Sequence, residues 1–439
     1  MITKNDQVVL LKKIKKYQNS HCKLELPFNA EYFCSYANNF SFSLMKYWIK
    51  KKNFFQLILD FFKEFYSCLV INDYILMGDK INLSKFKKVV LSWGSQKNLV
   101  NKTYYDKYLN TSSKDNKDVL WIIIYSGDHS KIKKFDNVIY IIEKKILFYK
   151  KIFNFFNCIK FSIVKKELNI KNLLHFFSWH NFFSYRVLSL IKPILSEKLN
   201  KVFMPYEGQP FQTRIIQFIK NNHPRIKCIG YIHSFPSFAS HLIKKKFSPD
   251  KIIVNSENQF KVFNKYLGWD NNNIKLVPSA RFKINYKQNM GNKIYLPINF
   301  SSSDNILFNF QKIIKYLNEY CLSDFEICNH PASQDSIKHI KLVSDMKIIL
   351  NKASSNKKKI DNTSIFIGAT GSVLEALFYN INVFHIIEDP TFELYNEFFW
   401  PSIDLTYIHK ELVNYKVNKK NFIMFGKDQI FVKEDYLLS

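Results

Sequence analysis

"SIFIGATGSVLEALFYNINVFHI", residues 364–386, decides the fold. It begins with a short apolar run closed by glycine, Ser364 to Ala369. Apolar residues at helical spacing follow from Thr370 to Asn380, and a second apolar run covers Asn382 to Ile387. Strand, helix and strand in so short a span form a βαβ unit, because a helical crossover joins parallel strands. The carboxyl end of the first strand, Gly368 to Ser372, is where open α/β sheets place ligands.

Working outward, the same alternation recurs. Upstream, strands are expected at 201–205, 227–234, 250–256, 274–282, 292–300 and 324–331. Helices are expected at 210–224, 257–268, 303–321 and 335–346. Pro210 suits a first helical turn, and Ser256 and Gly268 suit the two ends of the helix between them. In the first half, "KVVLSWGS" (88–95), "VLWIIIYSGDHS" (119–130) and "NVIYIIE" (137–143) read as buried parallel strands. "FFQLILDFFKEFYSCLVI" (54–71) and a region over about 145–200 read as helical. "NKTYYDKYLNTSSKDNKD" (101–118) and "KASSNKKKIDN" (352–362) read as surface loops. The 439 residues exceed what one such sheet needs. The expectation is α/β: two doubly wound, Rossmann-like domains facing across a cleft. They cover 1–250, with helical insertions, and 251–439, with the change falling at 245–285 and the tail crossing back.

Composition narrows the function classes. The chain is 47% hydrophobic and 17% aromatic, enough for true cores, and its formal charge is +29. That charge suggests a polyanion or an anionic membrane face. Yet the basic residues are almost all lysine, the arginines being Arg186, Arg214, Arg225 and Arg281. Base and phosphate readers favour arginine forks, so a lysine-rich solvated surface explains the charge better than nucleic acid does. The seven cysteines are scattered, without a CxxC pair, and fit reduced thiols in a cytoplasmic setting. The start carries no secretory pattern. "KIFNFFNCIKFSIVKK" (151–166) is broken by lysine before the ~18 apolar residues a membrane helix needs. It reads as a core-facing amphipathic helix, with attachment to a membrane surface as the alternative.

Several polar residues stand at strand ends. His330, restricted by Pro331, sits at one strand mouth and can donate to a phosphate oxygen. Gly368, Thr370, Gly371 and Ser372 open a helix, where unpaired amides favour an anion, or else they are turn and cap residues. Both ends fall in consecutive units of one sheet and point to a phosphate-bearing ligand. In the other half, Glu207 ends a strand between Tyr206 and Pro210. Partial desolvation there would raise its pKa and suit it to act as a general base. His233 with Ser234 ends the next strand. Asp128 with His129 is a weaker member of the set.

From "YEGQPFQTR" (206–214) through "SARF" (279–282), the chain resembles bacterial surface-carbohydrate biosynthesis proteins. The His-Pro and "GATGSVLEALFYNINVFHI" resemble paired motifs of GT-B glycosyltransferases that use CMP-activated sugars, the sialyltransferases and Kdo transferases. The resemblance covers about 200–390. It implies that His330 and the Thr370–Ser372 turn hold the donor's phosphate and that Glu207 is the acid/base on the acceptor side. With Pro331, Gly368 and Glu375 the former make up the expected nucleotide site, and His233 and Asp128, read from their strand ends, join Glu207 as catalytic candidates. The Ser or Thr pair of the family is here Thr-Gly-Ser. The implied substrates are a CMP-linked sugar and a glycan or glycolipid acceptor of a lipopolysaccharide or capsule. The implied enzyme is cytoplasmic or peripheral on the membrane's inner face, with no metal and no further cofactor. A CDP-glycerol type glycerophosphotransferase resembles the same half. Outside these enzymes stand a nucleotide-binding scaffold without turnover and a basic nucleic-acid-binding protein. Against the last, the lysines are spread along the chain and no nucleic-acid motif occurs.

Overall fold

The computed structural model describes residues 7–15 apart from 13, then 59, 62 and 66, then 73–419 apart from 79–80, 101, 165–178, 197, 284–289, 299, 323, 331–335, 353–357, 360–361 and 389–392, and finally 423 and 425–426. Pro331 and most of the expected 54–71 helix therefore lie outside the described residues.

Two mostly parallel sheets organise the chain. The first begins with β1 (Asp73–Met77) and β2 (Lys88–Ser95); a separate small meander of β3 (Leu99–Val100), β4 (Thr103–Asp106) and β5 (Thr111–Ser112) intervenes before β6 (Val119–Ser126) and β7 (Val138–Lys144). After helices α1 (Phe148–Val164) and α2 (Trp179–Ile191) come β8 (Lys201–Pro205), α3 (Pro210–Asn222), β9 (Lys227–Tyr231), β10 (Lys251–Val254), α4 (Glu257–Leu267) and β11 (Ile274–Leu276). The order across the sheet is β1-β7-β6-β2-β8-β9-β10-β11, and only β1 runs antiparallel. The central strands bury nearly every side chain because both faces are covered: among the described residues the helices pack on one through Val187, Ile215 and Val262, and the β3–β5 meander packs on the other through Tyr104 and Leu109. From β2 the chain winds outward through β6 and β7, then restarts at β8 and winds the other way. The topological switch point therefore lies between β2 and β8.

A short pair links β12 (Ser279–Lys283) with the chain's last described strand, β21 (Phe425–Gly426). The second sheet contains β13 (Lys293–Tyr295), reached before α5 (Ser303–Tyr316) and the short β14 (Tyr320–Cys321). Next come β15 (Glu326–Cys328), α6 (Ile337–Lys352), β16 (Lys358–Lys359), β17 (Thr363–Ile367), α7 (Ser372–Phe378) and β18 (Asn382–Ile386). Two antiparallel strands, β19 (Ile403–His409) and β20 (Leu412–Val417), complete it. Its order is β15-β13-β17-β18-β20-β19, with a second switch point between β13 and β17. A division at residue 250 falls inside the first sheet, whose last strand ends at Leu276; the second sheet opens at Lys293.

The 101–118 stretch is not a plain loop. Tyr104, Asp106 and Leu109 are buried there. The Asp106 carboxylate accepts the Tyr108 and Leu109 N–H groups at 2.8 Å each and the Tyr104 hydroxyl at 3.1 Å. Burial nonetheless pushes its pKa up. The polar letters that suggest a loop are thus partly spent inside it.

Two arginines are used for packing. Arg214 of α3 is fully buried, and its Nε and Nη2 donate to Ser184 and Asn181 of α2 at 3.1 and 2.9 Å. Arg186 of α2 forks onto Asp73 of β1, with Nη2 at 2.9 Å from Oδ2, and Asn154 of α1 donates to the same oxygen at 3.0 Å. The pair fastens the antiparallel edge strand to both helices. Replacing Arg186 with Leu strands a mostly buried carboxylate, so urea unfolding should show a loss of about 3 kcal/mol. A change below 0.5 kcal/mol would mean that water already satisfies Asp73.

Candidate active site

The site grows from the carboxyl edge of the first sheet at its switch point. β8 runs straight into Glu207, Gly208 and Gln209, and Pro210 starts α3. Gln212, in the first turn, holds the connection: its Oε1 accepts from the Glu207 and Gln209 N–H groups at 3.0 and 3.1 Å, and its Nε2 donates to Pro205 O at 2.7 Å. Gly208 has φ +65°, and a Cβ there would lie 2.5 Å from the His241 carbonyl oxygen. Only glycine fits this turn.

The turn aims the Glu207 carboxylate at its neighbours. Oε1 lies 3.3 Å from Nε2 of His233, just past β9, and Oε2 accepts from Gln209 Nε2 at 2.6 Å. The carboxylate is 28% exposed and the imidazole 4%, so Glu207 is the member of the pair that faces outward. Burial pushes the Glu207 pKa up, but the hydrogen bond and charge of His233, the Gln209 amide and the field of His241 outweigh it, and the net direction is down. The expected upward shift is thereby corrected: the desolvation is present, and two donors overcome it. Buried His241 is pushed down to about 4 by desolvation, against the pull of Glu207 and with the help of Lys245.

Aromatic rings close around this pair. Tyr108, delivered by the meander, meets His233 edge-on at 4.5 Å. Trp93, near the end of β2, packs at 5.8 Å from Tyr108 and 5.9 Å from Phe211. Trp93 and Tyr108 are half-buried, presenting ring surface beside the carboxylate. Neither was singled out in the sequence. The available signal was a Trp-Gly-Ser at a strand end, the same pattern that drew attention elsewhere.

Asp128 stands apart. It follows β6, two strands from β8 and so about 10 Å along the edge. Its carboxylate is exposed and caps a short turn, accepting from the Ser130 N–H at 3.0 Å and the Ser130 hydroxyl at 2.7 Å, which lowers its pKa. This is a local structural role away from the Glu207–His233 pair.

In the second sheet the Gly368–Ser372 turn leaves β17 at the other switch point. Gly368 has φ +63°, with Pro297 after β13 crowding the Cβ position at 3.2 Å. Ser372 N donates to Thr370 Oγ1 at 3.3 Å, so that hydroxyl helps to close the turn. α7 has only seven residues, and its N-cap position is Gly371, which has no side chain to cap it. Glu375 is buried in it, and its charge adds to the desolvation that raises Tyr295 and Tyr379. His330 is exposed past β15, and β13 separates that strand from β17; desolvation and His339 lower its pKa.

The two edges meet. A Cβ on Gly371 would lie 3.9 Å from the backbone N and O of Phe235, two residues after His233. The buried Tyr395 hydroxyl donates to both Phe235 O and Thr370 O at 2.9 Å. Tyr395 N donates to the Tyr415 hydroxyl at 3.3 Å, which donates onward to His385 Nδ1 at 3.0 Å. His385 Nε2 donates to Gly368 O at 2.6 Å, a tautomer fixed by its two partners. A strut of two tyrosines and one histidine thus holds the second sheet's turn against the first sheet's edge.

No family model and no curated protein matches the chain. Among solved structures it is similar to the crystal structure of a glycosyltransferase from Rickettsia africae ESF-5, at 12% identity and a TM-score of 0.34, over 70% of this chain and 86% of that one.

Desolvation pushes His385 down to about 4, from an ordinary 6.5. The unfolded chain takes up a proton near pH 6.5 and the fold does not, so this stability is complete above pH 6.5 and drains as pH falls toward 4. His241 acts in the same sense. Thermal melts from pH 7 to 5 should show the midpoint falling, at up to about 1.4 kcal/mol per pH unit for each histidine. His385→Asn should remove about half of that slope; an unchanged slope would place the proton uptake elsewhere.

Proposed function

We propose that the chain is a glycosyltransferase that moves a sugar from a CMP-activated donor, of the Kdo or sialic acid kind, onto a glycan or lipid-linked acceptor. One observation carries it. The switch points of two parallel sheets, each a natural ligand site, face one another where the Tyr395 hydroxyl joins Phe235 O to Thr370 O. One side offers an oriented carboxylate and the other a small-residue turn whose Gly368 and Ser372 amides are engaged within the fold, with Ala369, Thr370 and Gly371 between them.

In this reading the acceptor sugar lies on the Trp93 and Tyr108 rings with a hydroxyl toward Glu207. Aromatic surface with a few convergent polar groups is a common lining for such sites. Glu207 accepts the hydroxyl proton as the oxygen attacks the anomeric carbon. The bond from that carbon to the phosphate oxygen breaks, and CMP leaves with its electron pair. His233 and Gln209 position the base. Their donors keep it ionised at neutral pH, at the cost of proton affinity. His330, whose pKa desolvation and His339 hold down, donates an N–H to the donor phosphate. The amides of Ala369, Thr370 and Gly371 supply the other contacts, and Glu375 supports the turn from beneath.

Two measurements test this. Calorimetry with CMP, UMP, UDP, GDP and CDP-glycerol should show selective binding of CMP, lost at least tenfold in His330→Ala. Tighter binding of CDP-glycerol would favour the glycerophosphotransferase reading, and no nucleotide binding at all would remove the functional argument. With the donor identified, Glu207→Gln should bind it within about twofold of wild type while transfer falls roughly 10²- to 10⁴-fold. Full transfer by this variant would exclude Glu207 as the base.

A further inference from the structure

Helix α1 leaves the carboxyl end of β7 and is apolar on two opposite faces. Phe155 and Cys158 are buried against the protein. Tyr149, Phe153 and Phe156, at four- and three-residue spacing, form one outward stripe and are 63, 65 and 61% exposed. Leu147 and Phe148 extend it at the amino end. The sequence suggested a core-facing helix; its inner face fits that role and its outer face does not. Beside the stripe runs a groove of about 700 Å³, lined by Ile146, Ile152 and the three ring residues, with Asp73, Lys150 and Asn154 as its polar wall.

Charge says what covers this face. From Lys144 to Lys160 the chain has five lysines and no acidic residue. Lys144, Lys145, Lys150 and Lys160 are exposed. The nearby Asp73 is engaged by Arg186 and Asn154. A second copy would bring the same lysines against these ones, in a chain already carrying +29. No helix among the described residues is long and apolar enough to cross a membrane. An aromatic stripe bordered by lysine is the pattern of a helix lying in the interface plane, where aromatic rings and long cationic stems settle at headgroup depth.

We propose that α1 is a membrane-surface anchor whose Tyr149–Phe153–Phe156 stripe enters the headgroup region of a bilayer containing anionic lipid, while its lysines engage the headgroup phosphates. The anchor starts on the sheet edge that carries Glu207, three strands away and so about 14 Å along it. A lipid-linked substrate would therefore be presented close to the carboxylate.

The test is flotation of the full chain with vesicles of phosphatidylcholine alone, or with one-third phosphatidylglycerol. It does not depend on the transfer activity proposed above. Wild type should float only with the anionic vesicles and should be released by high salt. The triple variant Tyr149→Ser, Phe153→Ser and Phe156→Ser should bind roughly tenfold or more weakly. Lys144→Gln with Lys145→Gln and Lys150→Gln should lose about fivefold per charge. All six side chains are exposed, and an unchanged melting midpoint confirms that each variant is folded. Four outcomes overturn the proposal: no flotation of wild type, equal flotation of the aromatic variant, binding to single-stranded RNA in place of vesicles, or a wild-type dimer that the aromatic variant converts to monomer. The last would make a second copy the occupant.

Discussion

The Tyr395 hydroxyl has one proton and two carbonyls to serve, Phe235 O and Thr370 O. Those carbonyls belong to different sheets, so this shared bond sets how the two carboxyl edges face each other. It is fully buried, and such a bond is strong when made and expensive when broken. Burial also raises the phenol's pKa, which keeps the donating proton in place. Around it, Trp400 Nε1 donates to Pro236 O at 3.1 Å, while Phe398 and Phe399 pack on Tyr266 and Phe238. The segment after β18 therefore clamps onto the first sheet, and one apolar cluster runs continuously from Ile122 to Trp400.

Within that frame, local electrostatics are set by donors more than by burial. Glu207 is partly desolvated at the site's edge, yet its pKa falls because His233 and Gln209 face it. Asp106 is enclosed with its own donors, yet its pKa rises because desolvation wins. The comparison shows why a buried carboxylate cannot be assigned a direction from enclosure alone; the partners decide it.

Much of the fold was legible because buried parallel strands are continuous apolar runs bounded by glycine and polar caps. "KVVLSWGS" is β2 residue for residue, and Ser256 and Gly268 bound α4 as expected. The antiparallel additions were not legible. β1, β19 and β20 mix buried with half-buried and exposed residues, so none of them is the continuous apolar run that marks the buried parallel strands. Glu207 and His233 could be found as polar residues directly after buried strands. Tyr108, His241 and Tyr395 could not, since their roles come from contacts such as Tyr395 to Phe235 across more than a hundred residues. His385 left a faint trace, a polar residue inside an apolar strand. Gln212 left a clearer one, a glutamine three residues into a helix that opens with proline.

The position of β2 has a consequence for synthesis. On one side it pairs with β6, which emerges soon after it, but on the other it waits for β8, about 110 residues downstream. At typical elongation rates of 5–20 residues per second, that leaves an apolar strand edge open on the ribosome for roughly 6 to 20 seconds. Unpaired edges of this kind template intermolecular pairing. The nascent chain thus passes through an interval in which its most central strand is its most adhesive one. Only the arrival of "KVFMP" at Lys201–Pro205 closes that edge.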